Sequence, residues 1–382
     1  MEQFAFMPNR CLIGQPGSRA ALDTPALVVD IEAFDRNVAK MAEYARARGV
    51  ALRPHAKTHK SAICARRQIA AGAVGVCCAT LGEAEIMVQA GIAGVHISSP
   101  QVTGSKIARL IALNRSAPLG LSVVVDHPDN LAALDRAAQQ EGTRLCVLVD
   151  FSAGHGRTGC ADADAVLVLA RAAASSHALE LRGIQSYSGN LQHIATRVER
   201  SQRAQDQRTI LRRVIQQLRE SGIAIDVITG AGTGTYDLDG EDKLFTELQV
   251  GSYIFMDVDY QRALLDGCNV PAFETALFVA TAVVSTNAPG YVTTDAGLKA
   301  FATDGPAPEV AIGAPEGSRY QFFGDEHGKL ILPGGAEKPP LGTRIECVTP
   351  HCDPTVNLYD VYHVVRGDTL IDIWPIDARG KR

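Results

Sequence analysis

Between residues 32 and 270 the chain alternates short apolar runs with stretches whose apolar residues recur every three or four positions. Residues 31–48 set the second pattern: Ile31, Phe34, Val38, Met41 and Tyr44 fall on one face of a predicted helix. Residues 82–90 and 198–220 repeat it. The apolar runs lie at 50–55, 75–79, 94–98, 121–126, 144–150, 181–187, 224–229 and 247–253 and read as strands. Eight strands alternating with helices is the rhythm of a closed parallel (β/α)8 barrel of the TIM type. A doubly wound open sheet is the alternative, because alternation alone does not tell closure from opening.

Beyond the barrel region helical periodicity fades, and β-rich runs appear at 276–286, 290–294, 343–348, 358–366 and 370–374, divided by proline and glycine clusters. These predict a C-terminal antiparallel β domain. Residues 24–30 form one more strand-like run ahead of the first helix and are expected to join that second domain. The expected division is therefore 32–270 for the barrel, with 1–31 and 271–382 forming the β domain.

Composition narrows the class without changing this picture. A 46% hydrophobic content with mean hydropathy +0.02 describes a soluble globular protein. A net charge of -5, with no basic stripe, gives no footprint for nucleic acid. Met1-Glu2-Gln3-Phe4 lacks a signal-peptide layout, and runs such as 276–284 are too short to span a bilayer, so no membrane is expected. Nine cysteines without paired Cys-x-x-Cys sets read as reduced, cytoplasmic usage.

In a parallel barrel the chemistry sits at the C-terminal ends of the strands. Lys57 follows the first strand within Leu52-Arg53-Pro54-His55-Ala56-Lys57-Thr58-His59-Lys60. The surrounding cations are expected to lower its pKa and free a neutral amine, as a Schiff-base lysine requires. A loop with His155 and Arg157 follows the fifth strand, and one with Tyr187 and His193 follows the sixth. Gly232, Thr233 and Gly234 form a glycine-rich turn after the seventh, suited to a phosphate but lacking the dinucleotide spacing. In His351-Cys352-Asp353, an extended backbone would put His351 and Asp353 on one face and Cys352 on the other. That nitrogen and oxygen pair suits manganese, zinc or cobalt with positions left open. Asp325-Glu326-His327 is a further polar knot. Each also has a plainer reading: a solvated basic strand end, a surface arginine, a half-buried tyrosine, an ordinary loop.

Taken in order, Asp23-Thr24-Pro25, Arg53-Pro54-His55-Ala56-Lys57, Gly75-Val76-Cys77-Cys78, Gly154-His155-Gly156-Arg157-Thr158-Gly159, Gly232-Thr233-Gly234, Gly251-Ser252-Tyr253, Asp295-Ala296-Gly297-Leu298-Lys299, Asp325-Glu326-His327-Gly328 and His351-Cys352-Asp353-Pro354-Thr355 span nearly the whole chain. Together they resemble the metal-dependent D-threonine aldolase family. That family belongs to the alanine-racemase-like (fold-type III) group of pyridoxal 5'-phosphate (PLP) enzymes, beside 3-hydroxy-D-aspartate aldolase and D-serine dehydratase. The resemblance implies that Lys57 holds PLP, that Gly232, Thr233 and Gly234 cradle its phosphate with Tyr253 nearby, and that Arg157 and Tyr187 contact its ring. It implies that His351 and Asp353 hold a divalent metal, manganese first and zinc, cobalt or magnesium as alternatives. It also implies a homodimer with composite active sites acting on a small D-amino acid.

The dehydratase branch typically carries His-x-Cys at the metal, so His351-x-Asp353 favours the aldolase branch. Ala231, where aldolases commonly show glycine, and Ser186-Tyr187-Ser188-Gly189-Asn190 depart from the family pattern near the expected substrate. The expected reaction is retro-aldol cleavage of a D-β-hydroxy-α-amino acid to glycine and an aldehyde, with His193 or a metal-bound water as base and His351 in the catalytic set. The alternatives are a 3-hydroxy-D-aspartate aldolase, a D-serine or 3-hydroxyaspartate dehydratase, a non-catalytic PLP carrier, and a racemase using Tyr291, Tyr320 or Tyr359.

Overall fold

The computed structural model describes residues 8–117, 120–263 and 272–382. The expected domain boundary at 270/271 lies outside them. Each of the eight predicted strand regions overlaps a parallel strand: Ala51–Leu52, Val76–Cys78, Val95–Ile97, Leu121–Val125, Leu145–Asp150, Leu179–Ser186, Val227–Gly230 and Glu247–Leu248. From the second to the eighth each pairs with its sequence neighbours, and the first pairs with the eighth. The remaining seam, between the first and second strands, is closed by a parallel bridge from His55 to Cys77, with Cys77 N–H donating to Pro54 O at 2.8 Å. The open-sheet alternative is thereby excluded.

Residues flanking the inward positions are apolar and fully buried, as in Val123, Val125, Val147 and Val149 beneath the helices. The interior is not apolar throughout. His96 Nε2 meets Gln185 Oε1 at 3.0 Å and Gln249 Nε2 donates to the same oxygen at 3.1 Å. The strands carrying His96 and Gln185 are not neighbours in the sheet, so this bond crosses the barrel.

The predicted first helix forms as Ile31–Arg48. Asp30 caps it by accepting from the N–H groups of Glu32 and Ala33, a contact of about 1 kcal/mol. Gly49, at φ 67, ends it in the left-handed conformation. Asp30 is also the last residue of the strand Ala26–Asp30, which pairs antiparallel with Leu277–Ser285 and parallel with Val361–Arg366 in the second sheet. Phe34 then packs on Phe255 of the barrel and Trp374 of the β domain, with ring centroids 6.0 and 6.1 Å apart, so one helix face joins the two units.

The second sheet holds nine strands among the described residues. The five predicted C-terminal runs form strands, and three more join them: Glu309–Ile312, Arg319–Phe322 and Gly328–Ile331. These are four residues each and carry polar side chains, so they lack an apolar run to announce them. One local expectation is corrected. Residues 352–353 are not extended; Cys352–Val356 is a single helical turn with His351 at its N-cap. Asp257 Oδ2 accepts the Cys352 N–H at 2.8 Å, and Pro354 sits in the first turn, where its missing N–H does no harm.

Candidate active site

The C-terminal mouth of the barrel opens into a cavity of about 260 Å³ lined by residues that include Lys57, Arg157, Tyr187, Gly232, Thr233 and Tyr260. Lys57 sits in a one-turn helix, Ala56–Thr58, capped by the His55 side chain. The β domain grips this segment from behind: Tyr362 donates to His59 O at 2.6 Å, and Asp377 Oδ2 accepts the Ala62 N–H at 2.8 Å. The helix 62–70 is thus held at its start by the other sheet.

Lys57 Nζ lies 2.8 Å from Asp353 Oδ2. The expectation that neighbouring cations depress this amine is overturned: the Asp353 charge holds its pKa above the ordinary lysine value, outweighing desolvation and Arg157. The sequence neighbours are engaged elsewhere. Arg53 pairs with Glu247 and Lys60 with Glu83, while burial drives His55 and His59 toward their neutral forms.

Burial would raise the Asp353 carboxyl, but Lys57 and His351 outweigh it and keep the group ionised well below the usual carboxylate range. Its Oδ1 is buried beside Thr58 with no hydrogen bond of ordinary geometry. His351 Nδ1 meets Asp304 Oδ2 at 2.9 Å, which leaves Nε2 for another partner. Desolvation opposes the His351 charge, yet Asp353, Asp304 and Asp257 together raise its pKa. Cys352 points the other way, with its buried thiol toward Met256 O at 3.5 Å. The Asp353 oxygen without an ordinary hydrogen bond and the His351 Nε2 left open by Asp304 are donor types that fit a divalent ion with open positions. Among the described residues no third His, Cys, Asp or Glu completes such a cluster.

His193 joins this group from the loop after the sixth strand. Its ring lies 6.5 Å from that of His351 and 4.7 Å from that of Tyr260, and its Nδ1 is 2.8 Å from Asp259 Oδ2. Sequence reading missed Asp259 and Asp304. Asp259 follows the eighth strand, so the strand-end rule could have found it, whereas Asp304 has no signal of its own.

On the other wall, Thr233 Oγ1 accepts the Tyr253 N–H at 3.1 Å. The Tyr253 ring turns into the core, and its hydroxyl accepts from Gln68 at 3.1 Å. Gly232 faces the cavity and has no room for a side chain, since a Cβ there would stand 2.3 Å from Gln192 Oε1. Gly234 gives its N–H to that same oxygen at 2.9 Å and so faces Gln192. Arg157 is exposed at the rim with its guanidinium carbon 5.7 Å from the Tyr187 ring centroid. Its loop is anchored by Thr158, which donates to Asp150 at 2.8 Å. An amine at one side, a glycine-bounded turn at the other and a cation at the rim fit a flat ring bearing an aldehyde and a phosphate.

Asp325, Glu326 and His327 stand exposed in the hairpin loop between Arg319–Phe322 and Gly328–Ile331, with Glu326 paired to Lys299, and do not line this cavity. Neither do Tyr291, Tyr320 or Tyr359; the last two spend their hydroxyls on Ala296 O and Ala300 O.

Comparisons with known proteins agree with this geometry. Residues 29–259 match the family described as alanine racemase, N-terminal domain, and residues 276–365 match a putative serine dehydratase domain. The chain is 44% identical to a D-threonine aldolase of Arthrobacter sp, covering 96% of this chain and 95% of the relative. It is 36% identical to a 3-hydroxy-D-aspartate aldolase of Paracoccus denitrificans, with 96% and 95% covered. The crystal structure of D-threonine aldolase from Filomicrobium marinum superposes with a TM-score of 0.90 at 40% identity, covering 95% of this chain and 96% of that one.

Proposed function

The chain belongs to the family of the alanine racemase N-terminal domain, and from that premise we propose that it is a PLP- and divalent-metal-dependent aldolase. Its substrates are D-β-hydroxy-α-amino acids of the D-threonine type, cleaved to glycine and an aldehyde. The observation that carries this reading is the 2.8 Å approach of Asp353, from the β domain, to Lys57 at the barrel mouth. It brings the His351-x-Asp353 pair within reach of whatever Lys57 holds. Lys57 would hold PLP, which would supply an electron sink for charge developing at Cα. His351 and Asp353 would hold a divalent ion, manganese the first choice for a hard nitrogen and oxygen site, which would supply Lewis acidity.

The chain's own groups do the rest. His193 stands beside His351 and accepts the β-hydroxyl proton as the bond breaks. Gly232 and Thr233 hold the phosphate end, and Arg157 and Tyr187 border the ring. The breaking bond must stand perpendicular to the cofactor plane, and these walls set that angle. Loss of the β-hydroxyl, the dehydratase outcome, is disfavoured because the second ligand position holds Asp353 where the dehydratase branch typically has cysteine, and the intervening Cys352 turns its thiol away into the core. A homodimer sharing its active sites, in the cytoplasm, completes the proposal.

Incubation of purified protein with D-threonine tests it. Glycine and acetaldehyde, abolished by chelator and restored by added manganese, are expected; 2-oxobutanoate and ammonia would replace this reading by the dehydratase. D-phenylserine and 3-hydroxy-D-aspartate in the same panel define the side chain preferred.

A further inference from the structure

His193 is held by two consecutive residues of one short helix, Val258–Arg262, which follows the last barrel strand. Tyr260, buried, lies against its ring with centroids 4.7 Å apart and planes inclined at 46°. Asp259 Oδ2 lies 2.8 Å from its Nδ1. An ionised carboxylate only accepts, so in a neutral imidazole the proton must reside on Nδ1 and the lone pair on Nε2.

The mount of Asp259 is itself fixed. Val258 N–H donates to Thr349 O at 3.0 Å and Asp259 N–H to Pro350 O at 3.3 Å, which ties the helix to the backbone leading into His351. Asp257 adds a second tie. Its Oδ1 accepts the Tyr260 N–H at 2.9 Å and its Oδ2 the Cys352 N–H at 2.8 Å, so one buried carboxylate starts both short helices. His193 therefore takes its orientation from the same stretch that carries His351 and Asp353, although it comes from a different loop.

We propose that Asp259 is a positioning residue that locks His193 in the Nδ1–H tautomer and presents the Nε2 lone pair to the substrate hydroxyl. The proposal rests on the aldolase reading for the role of His193, and its own claim concerns the imidazole. Burial favours the neutral ring and the Asp259 charge partly offsets it. What the carboxylate adds beyond charge is direction.

The test is ¹⁵N-edited NMR of the histidine rings in the full-length protein loaded with PLP and diamagnetic magnesium, with the His193 signals assigned by His193→Gln. The wild type is expected to show Nδ1 protonated and Nε2 bare. Asp259→Asn, which can donate as well as accept, is expected to lose that preference, and Asp259→Glu to restore it in part. In parallel, kcat for D-threonine cleavage in Asp259→Asn should fall on the order of 10²- to 10⁴-fold with KM little changed, the range spanned by general-base loss and tautomer reversal. A wild-type ring protonated at Nε2, or an Asp259→Asn variant with unchanged tautomer and kcat and only a lower melting temperature, would overturn the proposal and leave Asp259 a loop anchor. Glycine release by the wild type tests the aldolase reading alone, and the ring spectrum is blind to it.

Discussion

At each end of the barrel a cation meets a carboxylate beside a cavity, and the two pairs are finished differently. At the N-terminal mouth Arg53 donates Nε to Glu247 Oε2 at 2.7 Å, Nη2 to Oε1 at 2.9 Å and Nη1 to Gly94 O. The guanidinium threads between Gly75 and Gly94; a Cβ on Gly75 would stand 2.7 Å from Nη1. At the C-terminal mouth Lys57 makes one 2.8 Å contact with Asp353, whose other oxygen is left over, and 40% of the lysine side chain stays open. The cavities themselves, about 200 and about 260 Å³, barely differ. A matched fork has nothing left to bind with, whereas an incomplete pair is ready to exchange one partner for a ligand.

The sharpest way to break this comparison is to delete a cation at each end. Lys57→Ala should abolish both the visible absorbance of bound PLP and aldehyde release, while its unfolding free energy in urea falls by less than that of Arg53→Met, because Lys57 is partly open and His351 remains as a second cation for Asp353. An absorbance band surviving in that variant would remove Lys57 from the chemistry. Arg53→Met should behave in the opposite sense. It strands Glu247 among buried neighbours, at a cost of about 3–5 kcal/mol, and replacing both partners with apolar residues should recover most of it. A loss below about 1 kcal/mol would mean that water reaches Glu247 and that the two mouths are alike.

Between the mouths, His96 gives a pH test of the polar layer. Its Nε2–H donates to Gln185 and its Nδ1 accepts from Ser122 at 2.9 Å, so the neutral ring is satisfied, and a second ring proton would make the Ser122 hydroxyl turn to accept and would leave the charge buried. Burial is the chief cause that lowers its pKa from 6.5 to about 4. Because the folded-state value lies below the unfolded one, the unfolded chain binds the extra proton first as pH falls. The His96 contribution to stability is thus whole above pH 6.5 and is lost between 6.5 and 4, by about 3 kcal/mol, alongside the losses from buried His55 and His59. His96→Gln should make that portion of the urea stability profile shallower, with His55 and His59 keeping the remaining slope. An unchanged slope would show that His96 does not govern it.

What could be read in the chain, and what could not, divides along the same line. Each barrel strand is legible because burial on both faces writes an apolar run, and the loops that follow supply Lys57, Arg157, Tyr187 and His193. That Asp353 reaches the barrel mouth is not legible from spacing, because the extended backbone that the His351-x-Asp353 reading assumed is a helical turn with His351 at its N-cap. The Lys57 pKa is misread because a sequence shows which cations are adjacent and not which are already neutralised. Glu247 lies 194 positions from Arg53, and Glu83 lies 23 from Lys60. Asp259 and Asp304 stay hidden for the same reason: each meets its histidine only after separate loops converge.

Backbone strain gives the last and smallest contrast. At the N-terminal mouth the left-handed positions Gly75, at φ 157, and Gly94, at φ 63, are glycines. Near the C-terminal mouth Lys60, Ala231 and Met256 take φ values of 50, 61 and 52 without that freedom. An L-residue there costs roughly 1–2 kcal/mol, and glycine would return roughly 0.5–1 kcal/mol of that as unfolded-chain entropy. Ala231→Gly, just ahead of Gly232 and Thr233, should therefore raise the unfolding free energy by less than about 1 kcal/mol and leave kcat/KM near wild type. Gly94→Ala should do the reverse, since its Cβ would stand 2.4 Å from Val74 O in a conformation already unfavourable to alanine. If Ala231→Gly instead weakens both stability and turnover, the methyl group of Ala231 is needed to pack the phosphate turn, and the strain at that mouth is functional.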